Sequence, residues 1–475
     1  MTDINKAIKP VESLTITPLN EGSQFKANNY IQFKIGASDL NMWLVNNSYL
    51  KFDLKYSRAK YTASGIKADE AVSKSYIRNA NNIFRSIEVL YGGDTIYSQP
   101  YNIEQNVIKQ LYYGESYMEA NYATYTTVKM IKDGTAYLEL DNGSTAGKDG
   151  AVAELTEANA KTIKDIMIPV NQLLPIFSDC TSDGFPVKNL KSQIEIRLYI
   201  AEPYRYIVDY NPNAPCDFSD KIYVGTNAAT MTSGTNDIKT RYSSDRIELK
   251  NVKMYCTHYI ADQSESAVID DKINNSGMKF RYQMVHAALR QMNGINFGNN
   301  NLPFTNSTEN VKSLMLYCHK QDLSPSLMYR PYINSLYIKF GSNQLPFQPI
   351  AGDSMTTPHE FKFTSDDVLN NIDTYFSETN DDFNRCYRYV NGPESDATSH
   401  VRKPIAVPES TFVMMGANYV NNPGDLGSNS SRWNSQYQAA FMGNIRDDTK
   451  LTYVLAIVTD YGMILKDGDL KTINL

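Results

Sequence analysis

Apolar and polar residues alternate with period two along much of the chain. The clearest stretch is 49–56, where Leu50, Phe52, Leu54 and Tyr56 are separated by Lys51, Asp53 and Lys55. In an extended strand that spacing puts the apolar set on one face and the charged set on the other, which predicts a half-buried strand. The same pattern predicts strands at 30–35, 193–200 (Ile194, Ile196, Leu198, Ile200), 246–260, 314–318, 411–415 and 451–458. Helical spacing is scarce beside it, so the chain reads as strand-rich.

One strand pair occurs twice. Residues 86–100 (SIEVLYGGDTIYSQP) lie over residues 335–349 (SLYIKFGSNQLPFQP) without a gap, 249 positions apart. Ser86 matches Ser335, Ile87 matches Leu336, Val89 matches Ile338, Tyr91 matches Phe340, and Gly92 matches Gly341. Ile96, Gln99 and Pro100 then match Leu345, Gln348 and Pro349. Each class has a physical role: Ile87, Val89 and Tyr91 share a strand face, and the glycine permits a tight turn. Ile96 returns to the core, and the proline ends the ladder for want of an N–H. A segment of helical spacing follows each copy: Ile103, Val107, Ile108 and Leu111 after the first, Val368, Leu369, Ile372 and Phe376 after the second.

The halves also end with similar apolar segments, 194–200 then 204–208, and 451–459 then 462–465. This divides the chain into an N-terminal arm at 1–28, a β-domain at 29–210, a polar connector at 211–245 and a second β-domain at 246–475. At 475 residues two domains suit the length. Stretches 58–80, 115–162 and 378–408 read as long loops, the natural material of outer surfaces and subunit contacts.

Composition narrows the partners. There are 34 Tyr against 2 Trp, which suits pleated surfaces and subunit interfaces, where a ring with a polar tip is useful. A net charge of -6 and no Lys/Arg cluster argue against a dedicated nucleic-acid binder. In the first 28 residues Lys6, Lys9 and Lys26 are offset by Asp3, Glu12 and Glu21. Cys180, Cys216, Cys256, Cys318 and Cys386 are odd in number and without a CxxC pair, so free thiols in a reducing compartment are expected. Neither a signal-peptide h-region nor an apolar run long enough to span a bilayer is present.

The chain carries no catalytic or cofactor motif. His258, His286, His319, His359 and His400 form no HExxH, and Cys256, His258, Cys318 and His319 lie in alternating strands that suit a core better than a metal site. Residues 143–149 (GSTAGKD) resemble a phosphate loop but have three residues between the glycines and Asp149 where a Ser or Thr is needed. The pairs Asp270–Asp271, Asp381–Asp382 and Asp447–Asp448 read as solvated loops, although distant carboxylates meeting in a sugar-cleaving cleft stay open as an alternative. No catalytic, cofactor-binding or metal residues are therefore assigned, and no cofactor is expected.

Taken in order, these segments resemble the double jelly-roll major capsid proteins of tailless icosahedral double-stranded DNA viruses, in particular the virophage-like and polinton-like lineage. The likeness rests on 16–35 (ITPLNEGSQFKANNYIQFKI), 48–55 (SYLKFDLK), 83–99, 166–170, 190–200 and, above all, 333–350 (INSLYIKFGSNQLPFQPI). It implies an all-β chain of two tandem eight-stranded jelly-roll sandwiches with short helices and long loop insertions. It also implies a structural, non-enzymatic role in the virion capsid, assembled inside the host cell as a homotrimeric pseudo-hexagonal capsomer. Partners would be neighbouring capsomers and minor capsid (penton or cement) proteins, with no sequence-specific nucleic acid and an internal membrane left open. Tyr-rich loops such as 111–125 suit trimer contacts, and deleting residues 2–28 is expected to leave the trimer folded while impairing shell assembly. The alternatives are a minor or vertex capsid protein and a carbohydrate-binding pair of jelly rolls, which would need exposed aromatics on a concave sheet.

Overall fold

The computed structural model describes residues 11–20, 22, 25–58, 61–62, 74–77, 79–106, 128–130, 136–141, 151–152, 160–178, 184–210, 245–293, 299–304, 311–320, 325, 335–340, 343–351, 416–418, 437–442 and 450–474. The strands that build the first sandwich are, in chain order, β1 (Val11–Ile16), β2 (Tyr30–Ile35), β3 (Tyr49–Arg58), β4 (Phe84–Tyr91), β5 (Asp94–Gln99), β6 (Lys161–Pro169), β7 (Ile194–Ile200) and β8 (Asp245–Tyr259). After them come β9 (Met278–Asn293), β10 (Asn299–Phe304), β11 (Val311–Lys320), β12 (Ser335–Phe340), β13 (Asn343–Ala351), β14 (Gly416–Asn418), β15 (Tyr437–Met442) and β16 (Lys450–Lys466). A short return strand, β17 (Asp469–Asn474), closes the chain.

The first eight strands form two antiparallel sheets ordered β1-β8-β3-β6 and β2-β7-β4-β5. The next eight form sheets ordered β9-β16-β11-β14 and β10-β15-β12-β13. Adding eight to every strand number of the first pair gives the second pair. The duplicated hairpin falls at the corresponding place in both: β4 ends at Tyr91 and β5 begins at Asp94, β12 ends at Phe340 and β13 begins at Asn343, with the 249-residue offset intact. In the first copy Gly92 and Gly93 make the two-residue turn with φ of 60° and 98°, the left-handed region that L side chains avoid.

Alternation in the sequence becomes the core of the first sandwich. Leu50, Phe52, Leu54 and Tyr56 on β3 are fully buried, as are Ile31, Phe33 and Ile35 on β2 and Ile194, Ile196, Leu198 and Ile200 on β7. Each contributes roughly 1.5–3 kcal/mol of hydrophobic stabilisation relative to an exposed position. Polar partners cross the outer face, as where Lys34 and Arg197 flank Glu195 at 3.9 and 2.5 Å.

The sheets draw the boundaries differently from the sequence division. Residues 11–16, assigned to an arm, pair along 259–254 of β8, and Phe25 and Lys26 pair with Leu249 and Glu248. β8 itself, assigned to the unit 246–475, completes the first sandwich beside β3. The end segments that looked alike are not equivalents either: 194–200 is β7, 451–459 belongs to β16, and 462–465 continues that same strand. Alternation reports which face of a strand is buried and says nothing about the partner it pairs with.

Helix α1 (Gln263–Asn275) joins the two sandwiches. Asp262 caps its N-terminus: the carboxylate accepts the Glu265 N–H at 2.8 Å. Asp270 and Asp271, expected in a solvated loop, lie on this helix. The helical residues 102–106 follow β5 as expected, whereas 107–111 and the second helical segment, 368–376, lie outside the described residues.

Candidate functional site

In each sandwich successive strands run from one end to the other, so the third-to-fourth, fifth-to-sixth and seventh-to-eighth connections leave at one end. The second-to-third, fourth-to-fifth and sixth-to-seventh connections leave at the opposite end. The turn after β16, Asp467–Gly468, meets the first sandwich at the end of β4 and at residues 189–191 of the β6–β7 connection. The end of the eighth strand in the second sandwich thus meets the four-to-five turn of the first, and the two stand the same way up.

That junction is joined by hydrogen bonds. The Tyr91 hydroxyl donates to the Gly468 carbonyl oxygen at 2.5 Å, and the Lys191 N–H donates to the same oxygen at 3.0 Å. Apolar contact continues across it: the Trp43, Phe177, Phe185 and Phe280 rings follow one another at centroid spacings of 5.2, 5.1 and 5.2 Å, and Tyr97 meets Tyr282 at 6.3 Å. Phe280, Tyr282, Met463 and Leu465 of the second sandwich join the same buried cluster as the first sandwich's core.

Because both sandwiches stand the same way up, the long connections 59–83, 100–160 and 201–244 of the first and 352–415 of the second all leave at a common end. In the first sandwich pieces of three of them form an extra sheet, ordered Val128–Met130, Ala136–Asp141, Lys74–Ile77, Ile207–Tyr210. Its base is a buried polar layer. Asn102 Nδ2 donates to the carbonyl oxygens of Asn81 and Phe84 at 2.8 and 2.6 Å, and Asn106 Nδ2 donates to Asn82 Oδ1 at 3.0 Å. Arg205 reaches Glu104, which is 1% exposed, at 2.6 Å. Such a layer fixes where each connection leaves the core, since a buried amide without a partner is costly. The long stretches are legible in the sequence but the sheet is not, because its strands are three to six residues long and come from three separate connections.

Among the described residues the cysteines and histidines are dispersed. Cys256 sits in the core of the first sandwich, where burial pushes its thiol up to about 12, while Cys318 and His319 are on β11 of the second. Burial likewise pushes the His286 imidazole down to about 4. Among the described residues no three of His, Cys, Asp and Glu gather as a metal site, and no helix is long and apolar enough to cross a membrane. Cys180, Cys216, Cys386, His359, His400, residues 111–125, the loop 143–149 and the pairs Asp381–Asp382 and Asp447–Asp448 lie outside the described residues.

No family model matches the sequence, and no curated protein matches it. Solved structures do. A chain in the structure of the Sputnik virophage aligns with a TM-score of 0.54 at 10% identity, over 98% of this chain and 88% of that one. The mavirus major capsid protein aligns at 0.51 and 12%, over 97% and 90%, and a chain of the PBCV-1 virus capsid at 0.51 and 9%, over 100% and 99%. The fold is a double jelly roll. The likeness spans both rolls and the junction between them, and at these identities it is a likeness of backbone course. An all-β chain of two tandem eight-stranded rolls, expected from the sequence, is what the strand orders give.

Proposed function

We propose that this chain is the major capsid protein of a tailless icosahedral double-stranded DNA virus. In this reading it is a structural component and not an enzyme, residing in the virion shell after assembly inside the host cell. The observation that carries the reading is the repetition of one strand order in two rolls standing the same way up. Two similar upright wedges per chain allow three chains to present six, so a homotrimer fits a lattice of six neighbours with closed three-fold symmetry. The common end that gathers the long connections faces outward as the capsomer's tower, and the opposite end faces the interior. The division that supports this is a first roll at about 11–259 and a second at about 278–474, with α1 between them. Neighbouring capsomers and minor capsid proteins are the partners of such a tile.

Electron microscopy of the purified protein with mass determination tests this. A three-chain particle with a hexagonal outline is expected. A monomer without that outline would overturn the capsomer reading.

A further inference from the structure

An open sheet edge offers unpaired N–H and C=O groups to any strand that approaches, and proteins blunt such edges. Three of the four edges of the first sandwich are closed in this way. Along β2 the Leu19 N–H donates to the Gln32 carbonyl oxygen at 2.8 Å, and Asn20 Oδ1 accepts the Gln32 N–H at 2.9 Å. β5 lies against the second sandwich, where Tyr97 meets Tyr282 at 6.3 Å. β6 carries Lys161, Lys164 and Pro169, and its register breaks at the Asp165 bulge. β1 has none of these devices: Val11–Ile16 contains neither Lys nor Pro, its register along β8 is unbroken, and Val11, Ser13 and Thr15 are exposed.

β8 determines which backbone groups of β1 are already used. Thr257 turns both of its groups away from β1, its N–H donating to Ser48 Oγ at 3.0 Å and its carbonyl oxygen accepting the Leu44 N–H at 2.8 Å. These directions alternate along a strand, so Cys256 and His258 turn theirs toward β1, at their register partners Leu14 and Glu12. Val11, Ser13 and Thr15 therefore turn N–H and C=O outward, and no described residue bonds to those groups.

We propose that this edge pairs with the same edge of a second copy of the chain, two β1 strands running antiparallel about a two-fold axis at Ser13. The outward set is centred on Ser13, so Ser13 of one copy faces Ser13 of the other, Val11 faces Thr15, and every outward N–H meets a C=O. Glu12, the one charged residue of the strand, then falls opposite Leu14, so no like charges face each other. Val11 beside Thr15 is a β-branched pair of the kind that suits a pleated surface. The inference goes beyond the shell reading, because a two-fold contact lies outside a closed three-fold particle and joins one such particle to the next.

The test oxidises full-length cysteine variants with diamide and reads cross-linked chain pairs on denaturing gels, the parent with its own five cysteines setting the background. Ser13→Cys brings two thiols face to face at strand-pair spacing, and should give about tenfold more cross-linked pair than Thr15→Cys. In the Thr15→Cys variant the two-fold axis holds the thiols roughly 14 Å apart. Val11→Cys with Thr15→Cys in one chain should cross-link again, and adding Ser13→Pro should abolish that link. The proline removes an outward N–H and no bond to β8, so circular dichroism should show every variant folded. No cross-link above the parent in Ser13→Cys, equal yields from Ser13→Cys and Thr15→Cys, or a link that survives Ser13→Pro would each overturn the proposal; the last two outcomes point to a different register or a different surface. Denaturing gels read chain pairs whether or not trimers form, so the shell reading can fail separately.

Discussion

The Tyr91 hydroxyl and the Gly468 carbonyl oxygen meet at 2.5 Å although 377 residues separate them in the chain. The same phenol oxygen accepts the N–H groups of Lys191 and Ser192 at 3.1 Å, so one side chain ties the end of β4, the β6–β7 connection and the C-terminal hairpin. Tyr91→Phe should cost about 1–2 kcal/mol by denaturant unfolding. Gly468→Ala should cost more. Its φ is +78°, and a Cβ there would stand 3.0 Å from the Asn189 carbonyl oxygen and 2.8 Å from Lys191 Cγ.

Asp53 lies between two bulges. Its carboxylate accepts the Asp165 N–H at 2.9 Å from one neighbouring strand and Asn251 Nδ2 at 2.7 Å from the other. Both Asp165 and Asn251 have positive φ, and the β3 register shifts at both. Aligned bulges bend a sheet, and Asp53 satisfies the groups they free. Asp53→Ala should destabilise by about 1–3 kcal/mol in denaturant unfolding, and Asp53→Asn by less.

Arg205→Ala leaves the Glu104 carboxylate buried without its partner. A loss of up to about 3 kcal/mol is expected, and Glu104→Gln in the same chain should recover much of it, because the cost is that of an uncompensated charge. Thermal unfolding of the single and double variants measures both.

His286 makes stability pH-dependent. Burial holds its imidazole at about 4 against the ordinary 6.5, and the Tyr461 ring stands 5.7 Å away. Between those values the unfolded chain takes up a proton that the folded chain refuses. Its contribution is therefore complete above about pH 6.5 and is lost as pH falls toward 4. Denaturant unfolding across that window should show His286→Phe falling less steeply than the parent, by about one proton.

Deleting residues 2–28 removes β1, together with Leu14 and Ile16, which pack against the core. The soluble fold should be lost, where the sequence alone led to a folded trimer. Deleting only 2–10 keeps β1 and should leave the melting temperature within a few degrees. Expression and circular dichroism of the two truncations separate the outcomes.

How much was legible in the sequence follows from the range of each interaction. The buried faces of β2, β3, β7 and β8 could be read because alternation is local: Leu50, Phe52, Leu54 and Tyr56 face inward whichever strand lies beside them. The duplicated hairpin could be read because a two-residue turn fixes its register within a few residues. Helix α1 also carries a local signal, Asp262 and Glu265 at N-cap spacing with Ile269 and Ile273 one turn apart. The membership of β1 and β8 in the first roll, the extra sheet gathered from three connections and the meeting of Tyr91 with Gly468 are choices of partner between distant segments. Many strands with the same alternation compete for each such pairing, and only closure of both sandwiches around a shared core selects among them.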